Sequence, residues 1–287
     1  MEGRIVGLSC GIYSINCDGK IYQAPARGLF RKQDIKPIVG DIVNYDEKDN
    51  IIKEVKPRVS YLKRPPIANI DQIFIVQSLV EPEFSYLLTF KYLTYANMNG
   101  INAKIILTKI DKFKDETKLK EIINTFTSMN IDVYCVNNKT GEGVDIVKKQ
   151  FANHVTCFIG QTGVGKSSLV NAIDNSYERL IGEYSKALGR GKHQTKEVVL
   201  LPYQNGYLAD TPGFSSLDPN LFKEDLAIYF PGFKERYTDC YYSNCLHISE
   251  NKCAVKQALE EGKISSIAYD CYKKLSDEAI YKAKRYD

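Results

Sequence analysis

The sequence predicts a multidomain chain of three units. An OB-type β-barrel spans residues 1–66, an α/β domain with a mostly parallel sheet spans 67–220, and a mainly helical, metal-stapled unit spans 221–287. Three observations lead there. Short β-rich runs broken by turns fill the first segment, strand and helix patterns alternate from Asn69 to about Gly213, and a Cys/His cluster lies between Cys240 and Cys253. A chain of 287 residues with 44% hydrophobic residues is long enough for two or three globular units.

In the first unit, Arg4–Leu8, Gly11–Ile15 and Lys20–Gln23 read as strands, with Asp18-Gly19 as a hairpin turn. Val39–Tyr45 and Ile51–Val55 add more. Five short strands suggest an OB barrel, whose exposed face commonly binds RNA. Arg27, Arg31, Lys32 and Lys36 lie in the irregular part, with Tyr22 and Phe30 as candidate stacking groups; core aromatics and solvated bases are the competing reading. Pro57 and Pro65-Pro66 read as a stiff linker. Residues 1–66 hold twelve Lys/Arg against eight Asp/Glu, and the remainder balances, so the whole net charge of +4 sits in this unit and raises nucleic acid as a partner.

The second unit begins with a strand at Ile70–Val76 and a helix from Glu83 to about Met98. Ala103–Leu107 is a strand running into Thr108-Lys-Ile-Asp111. Asp115–Ser128 is an amphipathic helix with Leu119, Ile122, Ile123 and Phe126 on one face. Ile131–Val136 is a strand, Val144–Phe151 a helix, and His154–Ile159 a strand ending in Gly160-Gln161-Thr162-Gly163-Val164-Gly165-Lys166-Ser167-Ser168. Strands at Glu197–Leu201 and Gly206–Ala209 follow the basic loop Gly189–Thr195, the second running into Asp210-Thr-Pro-Gly213. After Ser216 the alternation stops.

The Gly-x4-Gly-Lys-Ser spacing is that of a phosphate loop between strand and helix. Backbone without Cβ atoms at Gly160, Gly163 and Gly165 wraps a phosphate chain, Lys166 reaches the β and γ phosphates, and Ser167 ligates Mg²⁺. Asp210 adds a carboxylate that holds Mg²⁺ through water, and Gly213 a backbone N–H for the γ phosphate. Thr195 can add its hydroxyl to Mg²⁺, completing a switch. Thr108-Lys109-Ile110-Asp111 is similar to Asn-Lys-x-Asp, with Asp111 accepting from guanine N1–H and the 2-amino group, donors that adenine lacks. Thr108 stands where that motif carries Asn, a departure that bears on the contact made there but not on the choice of guanine. Asn137-Asn138 stands where Ser-Ala is usual.

The guanine motif precedes the phosphate loop by about fifty residues, the reverse of the usual order, which makes this a circularly permuted P-loop GTPase domain. Opening the chain after Gly213 makes the segment that follows Asp210-Thr-Pro-Gly213 continuous with the third unit. There Cys240-x4-Cys245-x-His247-x5-Cys253 offers three thiolates and an imidazole, the donor set of a closed structural Zn²⁺ site. Cys10, Cys17, Cys135, Cys157 and Cys271 lack ligand spacing and are expected in the core.

The permuted order, Gly-Arg-Gly-Lys-His-x-Thr, Asp-Thr-Pro-Gly-Phe, Pro37–Val43, Phe230-Pro-Gly-Phe233 and the Cys/His cluster together resemble the RsgA family, also called YjeQ or YloQ, over essentially the whole chain. The resemblance implies a GTPase that docks on the small (30S) ribosomal subunit and its rRNA late in maturation, with hydrolysis of GTP to GDP linked to release. A monomer is expected. Phe214 stands where Ras-like enzymes place a glutamine to orient the attacking water, so His193 is the candidate for that role, with an rRNA contact as the competing reading. Two other classes compete: an RNA-binding scaffold with a degenerate nucleotide site, and a metabolic P-loop kinase. Lys166, Ser167, Thr195 and Asp210 together disfavour the first, and the guanine motif disfavours the second. With no signal-peptide core and no run of transmembrane length, a cytoplasmic location is expected.

Overall fold

The computed structural model describes residues 1–26, 30, 36–63, 65–175, 198–210 and 222–280, with only the backbone of Asp210. The expectations placed on Arg27, Arg31, Lys32, His193, Thr195, Gly213 and Phe214 lie outside the described residues.

The first unit is a five-stranded antiparallel sheet of β1 (Glu2–Ser9), β2 (Ile12–Cys17), β3 (Lys20–Pro25), β4 (Ile42–Asp46) and β5 (Ile51–Val55), in the order β3-β2-β1-β4-β5. A parallel bridge from Ala26 to Ile52 joins the two edge strands and closes the barrel, as in an OB fold. Asp18 and Gly19 both take positive φ, so the β2–β3 hairpin turns as its sequence predicts. Phe30 is buried in the core and not presented for stacking, whereas Tyr22 is half-exposed and leans on Tyr45 at 5.0 Å. Cys17, Cys157 and Cys271 are buried as expected, Cys135 is intermediate, and Cys10 is exposed at the β1–β2 turn.

The Pro65-Pro66 segment is not a linker. β6 (Tyr61–Lys63) and β7 (Pro66–Ala68) form an antiparallel hairpin whose Leu62 and Ile67 are fully buried. Pro66 opens its strand, where a missing N–H is tolerated. Arg58 fixes this region to the barrel by a bidentate pair with the buried Asp41, at 2.7 and 2.9 Å, while Asp41 also accepts from Ile38 N.

The central sheet contains β8 (Gln72–Ser78), β9 (Asn102–Thr108), β10 (Val133–Cys135), β11 (Val155–Ile159), β12 (Val199–Tyr203) and β13 (Gly206–Asp210), in the order β10-β9-β8-β11-β13-β12. All neighbours are parallel except the β12–β13 hairpin. β8 and β11 are buried along their whole length, which is why both read as continuous apolar runs and not as alternation. The chain runs outward from β8 to β10 and then returns to the other side of β8 with β11. Ligands bind at such a reversal, outside the carboxyl ends of the strands.

Helix α1 (Tyr86–Met98), capped by the Ser85 hydroxyl, and α2 (Glu116–Thr127), capped by Asp115, cover one face. Helices α3 (Val144–Lys148) and α4 (Lys166–Ile173) cover the other, burying Val144, Val147, Leu169 and Ile173 on Phe74, Val76 and Phe158. α1 buries residues on nearly every side because the C-terminal unit packs on its outer surface. That unit comprises α5 (Lys223–Tyr229), α6 (Ala254–Glu260) and α7 (Ser266–Glu278). Phe230, fully buried, stacks on Phe90 of α1 at 5.1 Å and meets Phe233 and Tyr272 edge-on at 4.8 and 5.3 Å. Asn97 Nδ2 donates to Tyr229 O, and Lys91 pairs with Glu278. At the opposite end of the sheet, the barrel holds on through Asn16 Nδ2 to the Tyr207 hydroxyl, with Arg4 over the same ring. Among the described residues no helix is long and apolar enough to cross a membrane.

Phe230→Ala is expected to cost about 3–5 kcal/mol, the range for deleting a buried aromatic. It should also uncouple the C-terminal unit from α1. Urea unfolding followed by tyrosine fluorescence checks this; a midpoint unchanged from wild type would place the inter-unit anchor elsewhere.

Candidate functional site

The phosphate loop leaves β11 at Gly160, where a Cβ would stand 2.2 Å from Val76 O, so only glycine lets the loop pass this close to β8. Gly163 and Gly165 follow with φ of +82° and +93°. Gly165 occupies the N-cap of α4 without a capping side chain, so no side chain competes for the N–H groups of the first turn. Ser167 and Ser168 lie exposed on that turn, Thr162 is exposed on the loop, and Gln161 is half-buried. Lys166 turns back over the loop and donates to the carbonyls of Gly160 and Gln161. Burial pushes its ammonium pKa down, a penalty that a phosphate anion beside it would reverse.

The guanine motif stands against this loop. Thr108, fully buried at the end of β9, donates its hydroxyl to Val164 O at 2.6 Å. Lys109, in a left-handed conformation, directs Nζ to Gly163 O at 2.9 Å and to Glu81 O. Asn138, after β10, donates Nδ2 to Gly165 O at 3.2 Å. Three successive loop carbonyls are therefore each held by a different side chain from the ends of β9 and β10. Asp111 sits in the short 3-10 turn Ile110–Lys112, two residues after Lys109, and is exposed. Asn137 shapes the approach, its Oδ1 accepting from Lys139 N and Thr140 N. The sequence pattern pointed to Thr108, Lys109 and Asp111 but not to the role of Asn138, because Asn-Asn does not match Ser-Ala. Asp210 ends β13 as expected, and its side chain, like Thr195 and Gly213, is outside the described residues.

Cys240, Cys245, His247 and Cys253 bring their ligand atoms within 4.8 Å of one another. Cys240 Sγ lies 3.8 Å from Cys253 Sγ, and His247 Nδ1 lies 3.4 Å from each. A tetrahedron with Zn–S bonds of about 2.3 Å has S–S edges of about 3.8 Å, so the spacing and the donor set fit Zn²⁺. Burial pushes the His247 pKa down, holding the imidazole neutral as a ligand must be. Burial and mutual crowding push the Cys245 and Cys253 thiols up, so thiolates need a dication among them. Backbone N–H groups of Ala254 and Lys256 point at Cys240 and Cys253 sulfurs, a second shell suited to thiolate. Tyr269 and Tyr272 donate to the carbonyls of His247 and Leu246 and so brace the ligand turn from α7, a support that no motif spacing could reveal.

Residues 55–220 match the family described as RsgA GTPase, and residues 2–51 match the RsgA N-terminal domain. The chain is 40% identical over 291 residues to the small ribosomal subunit biogenesis GTPase RsgA of Geobacillus sp. (strain WCH70), covering 99% of both chains. It is 38% identical over 296 residues, again with 99% of both covered, to the protein of that name from Bacillus subtilis (strain 168). Among solved structures it is similar to YjeQ from Thermotoga maritima, with a TM-score of 0.84, 29% identity and 96% and 97% coverage. YloQ, described as a circularly permuted GTPase, aligns with a TM-score of 0.81, 35% identity and 96% and 94% coverage.

The Cys/His site is expected to carry one divalent metal ion per chain. Elemental analysis of protein purified without added metal checks it, and full metal retention in the Cys245→Ala, Cys253→Ala double variant would contradict the assignment.

Proposed function

The chain belongs to the RsgA GTPase family, and we propose that it acts as its relatives' names state, hydrolysing GTP to GDP and phosphate while assisting maturation of the small ribosomal subunit. The observation that carries this reading is the joining of Thr108, Lys109 and Asn138 to the Gly163–Gly165 carbonyls, which makes a base-reading edge and a phosphate cradle one site.

In this reading water attacks the γ phosphorus and the bond to the β–γ bridging oxygen breaks, with GDP leaving. Lys166 and the N–H groups opening α4 stabilise the charge that builds on the phosphate oxygens. Ser167, Thr195 and, through water, Asp210 are the residues proposed to hold Mg²⁺, which would supply neutralisation of phosphate charge. Gly213 offers its N–H to the γ phosphate, and Asp111 selects guanine. His193 is proposed to orient the attacking water, supported by its place two residues before Thr195 and by Phe214 standing where a glutamine would do so.

The ion proposed at Cys240, Cys245, His247 and Cys253 is Zn²⁺, in a structural role since the four ligands leave no open position. The three proposed domains, 1–66, 67–220 and 221–287, divide the work. The basic barrel and the metal-stapled unit dock on ribosomal RNA, and the middle domain times their release. A cytoplasmic monomer suits this role.

GTP turnover is expected to be slow for the free protein and to rise with purified small subunits. His193→Ala should lower the stimulated rate about a hundredfold, the usual size for a water-orienting group, with subunit binding intact. Asp111→Asn should weaken GTP and favour xanthine nucleotides. Stimulated turnover of His193→Ala near the wild-type rate would return His193 to an RNA contact, and unchanged GTP affinity would remove Asp111 from base recognition.

A further inference from the structure

Position 108 leaves the nucleotide site one donor short. An asparagine there has two amide hydrogens, enough for a loop carbonyl and for the base, whereas a threonine hydroxyl has one. The 2.6 Å bond to Val164 O uses that hydrogen. Guanine's N7 and O6 edge carries only acceptors, so residue 108 has nothing left to offer it.

Asn138 lies beside the gap. Its Nδ2 is tied to Gly165 O, the next carbonyl along the loop. A Cβ placed on Gly165 would stand 3.3 Å from Asn138 Nδ2 and 3.7 Å from Thr108 Oγ1, so the amide and the hydroxyl flank the same point. The Gly165 carbonyl also fixes the amide's orientation, since a flip would set two acceptors against each other. One Nδ2 hydrogen is thereby committed and the second is not used by any described contact. Asn138 Oδ1 is buried without a hydrogen-bond partner among the described residues.

We propose that Asn138 is a base-binding residue: its free amide hydrogen meets N7 of the purine, supplying the donor that Thr108 lacks, while Asp111 reads the opposite edge. The division of labour is specific. Adenine also has N7, so Asn138 contributes affinity and base orientation, and the choice of guanine stays with Asp111. The two side chains arrive from different strand ends, β9 for Thr108 and the turn after β10 for Asn138, so one replaces the other without any change in the loop.

This inference rests on the guanine-nucleotide reading of the site, and the test separates the two. Affinities of GDP and 7-deaza-GDP, in which C–H replaces N7, are measured by competition against a fluorescent GDP with Mg²⁺ present. Wild type is expected to prefer GDP about tenfold. Asn138→Ala and Asn138→Asp, the second similar in shape but without the donor, should bind GDP more weakly and lose that preference. A role confined to bracing the loop would weaken both nucleotides equally and leave the preference intact, which would overturn the proposal. So would a wild-type protein that binds both nucleotides alike. A wild-type protein that binds no GDP would instead overturn the guanine-site reading itself.

Discussion

The hydrogen bonds from Lys109, Thr108 and Asn138 to the carbonyls of Gly163, Val164 and Gly165 are the constraint on which the nucleotide site depends. In a planar trans peptide the C=O and the following N–H point in opposite directions. Drawing three carbonyls toward Thr108, Lys109 and Asn138 therefore turns the N–H groups of Val164, Gly165 and Lys166 the other way, toward the concavity proposed for the phosphates. The positive φ angles at Gly163 and Gly165 make this arrangement sterically open, and the side-chain bonds hold it in place. Preorganised donors of this kind need little rearrangement when charge develops on phosphate oxygens.

The same constraint explains how a permuted chain can keep the site. What the site requires is that β8, β9 and β11 lie side by side with their carboxyl ends together, and the sheet order β10-β9-β8-β11-β13-β12 provides this whichever strand comes first. Permutation changes what is attached. β13 ends at Asp210, and twelve residues later Phe222 begins the C-terminal unit, where it bridges to Ile280 and so ties the start of that unit to its far end. Phe230 then stacks on Phe90 of α1. A change near Asp210 has a short covalent route to the unit that carries the Cys/His cluster and a packed route back through α1. The buried Phe230–Phe233–Tyr272 cluster and the tyrosine bonds to the metal-ligand turn belong to one continuous core.

Much of this was legible in the sequence because local chemistry encodes it. Glycine spacing marks the phosphate loop, Asp18-Gly19 marks a hairpin, Asp115 marks a helix start, and ligand spacing marks the Cys/His site, whereas the helix expected from Glu83 begins at Tyr86 behind the Ser85 cap. Features that depend on tertiary approach were not legible. Pro65-Pro66 suggested a linker, yet the hairpin Tyr61–Ala68 forms because Leu62 and Ile67 have a core to enter. Phe30 offered itself as a stacking group and is instead buried, and Cys10, expected in the core, is exposed at a turn. The work of Asn138 could not be read from its neighbours, since it is defined by Gly165 and Thr108, 27 residues ahead and 30 behind.

The most direct measurement of the central claim is the GDP affinity of Thr108→Val, which keeps the shape of the side chain and removes the 2.6 Å bond to Val164 O together with the longer 3.3 Å contact to Gln77 O. Loss of one buried hydrogen bond that leaves its acceptor unpaired is worth about 1–3 kcal/mol. If the carbonyl tethers set the loop, GDP should bind about tenfold or more weakly while the thermal midpoint stays within a few degrees of wild type. A GDP affinity equal to that of the wild type would contradict the account, because the loop would then hold its shape without the tether.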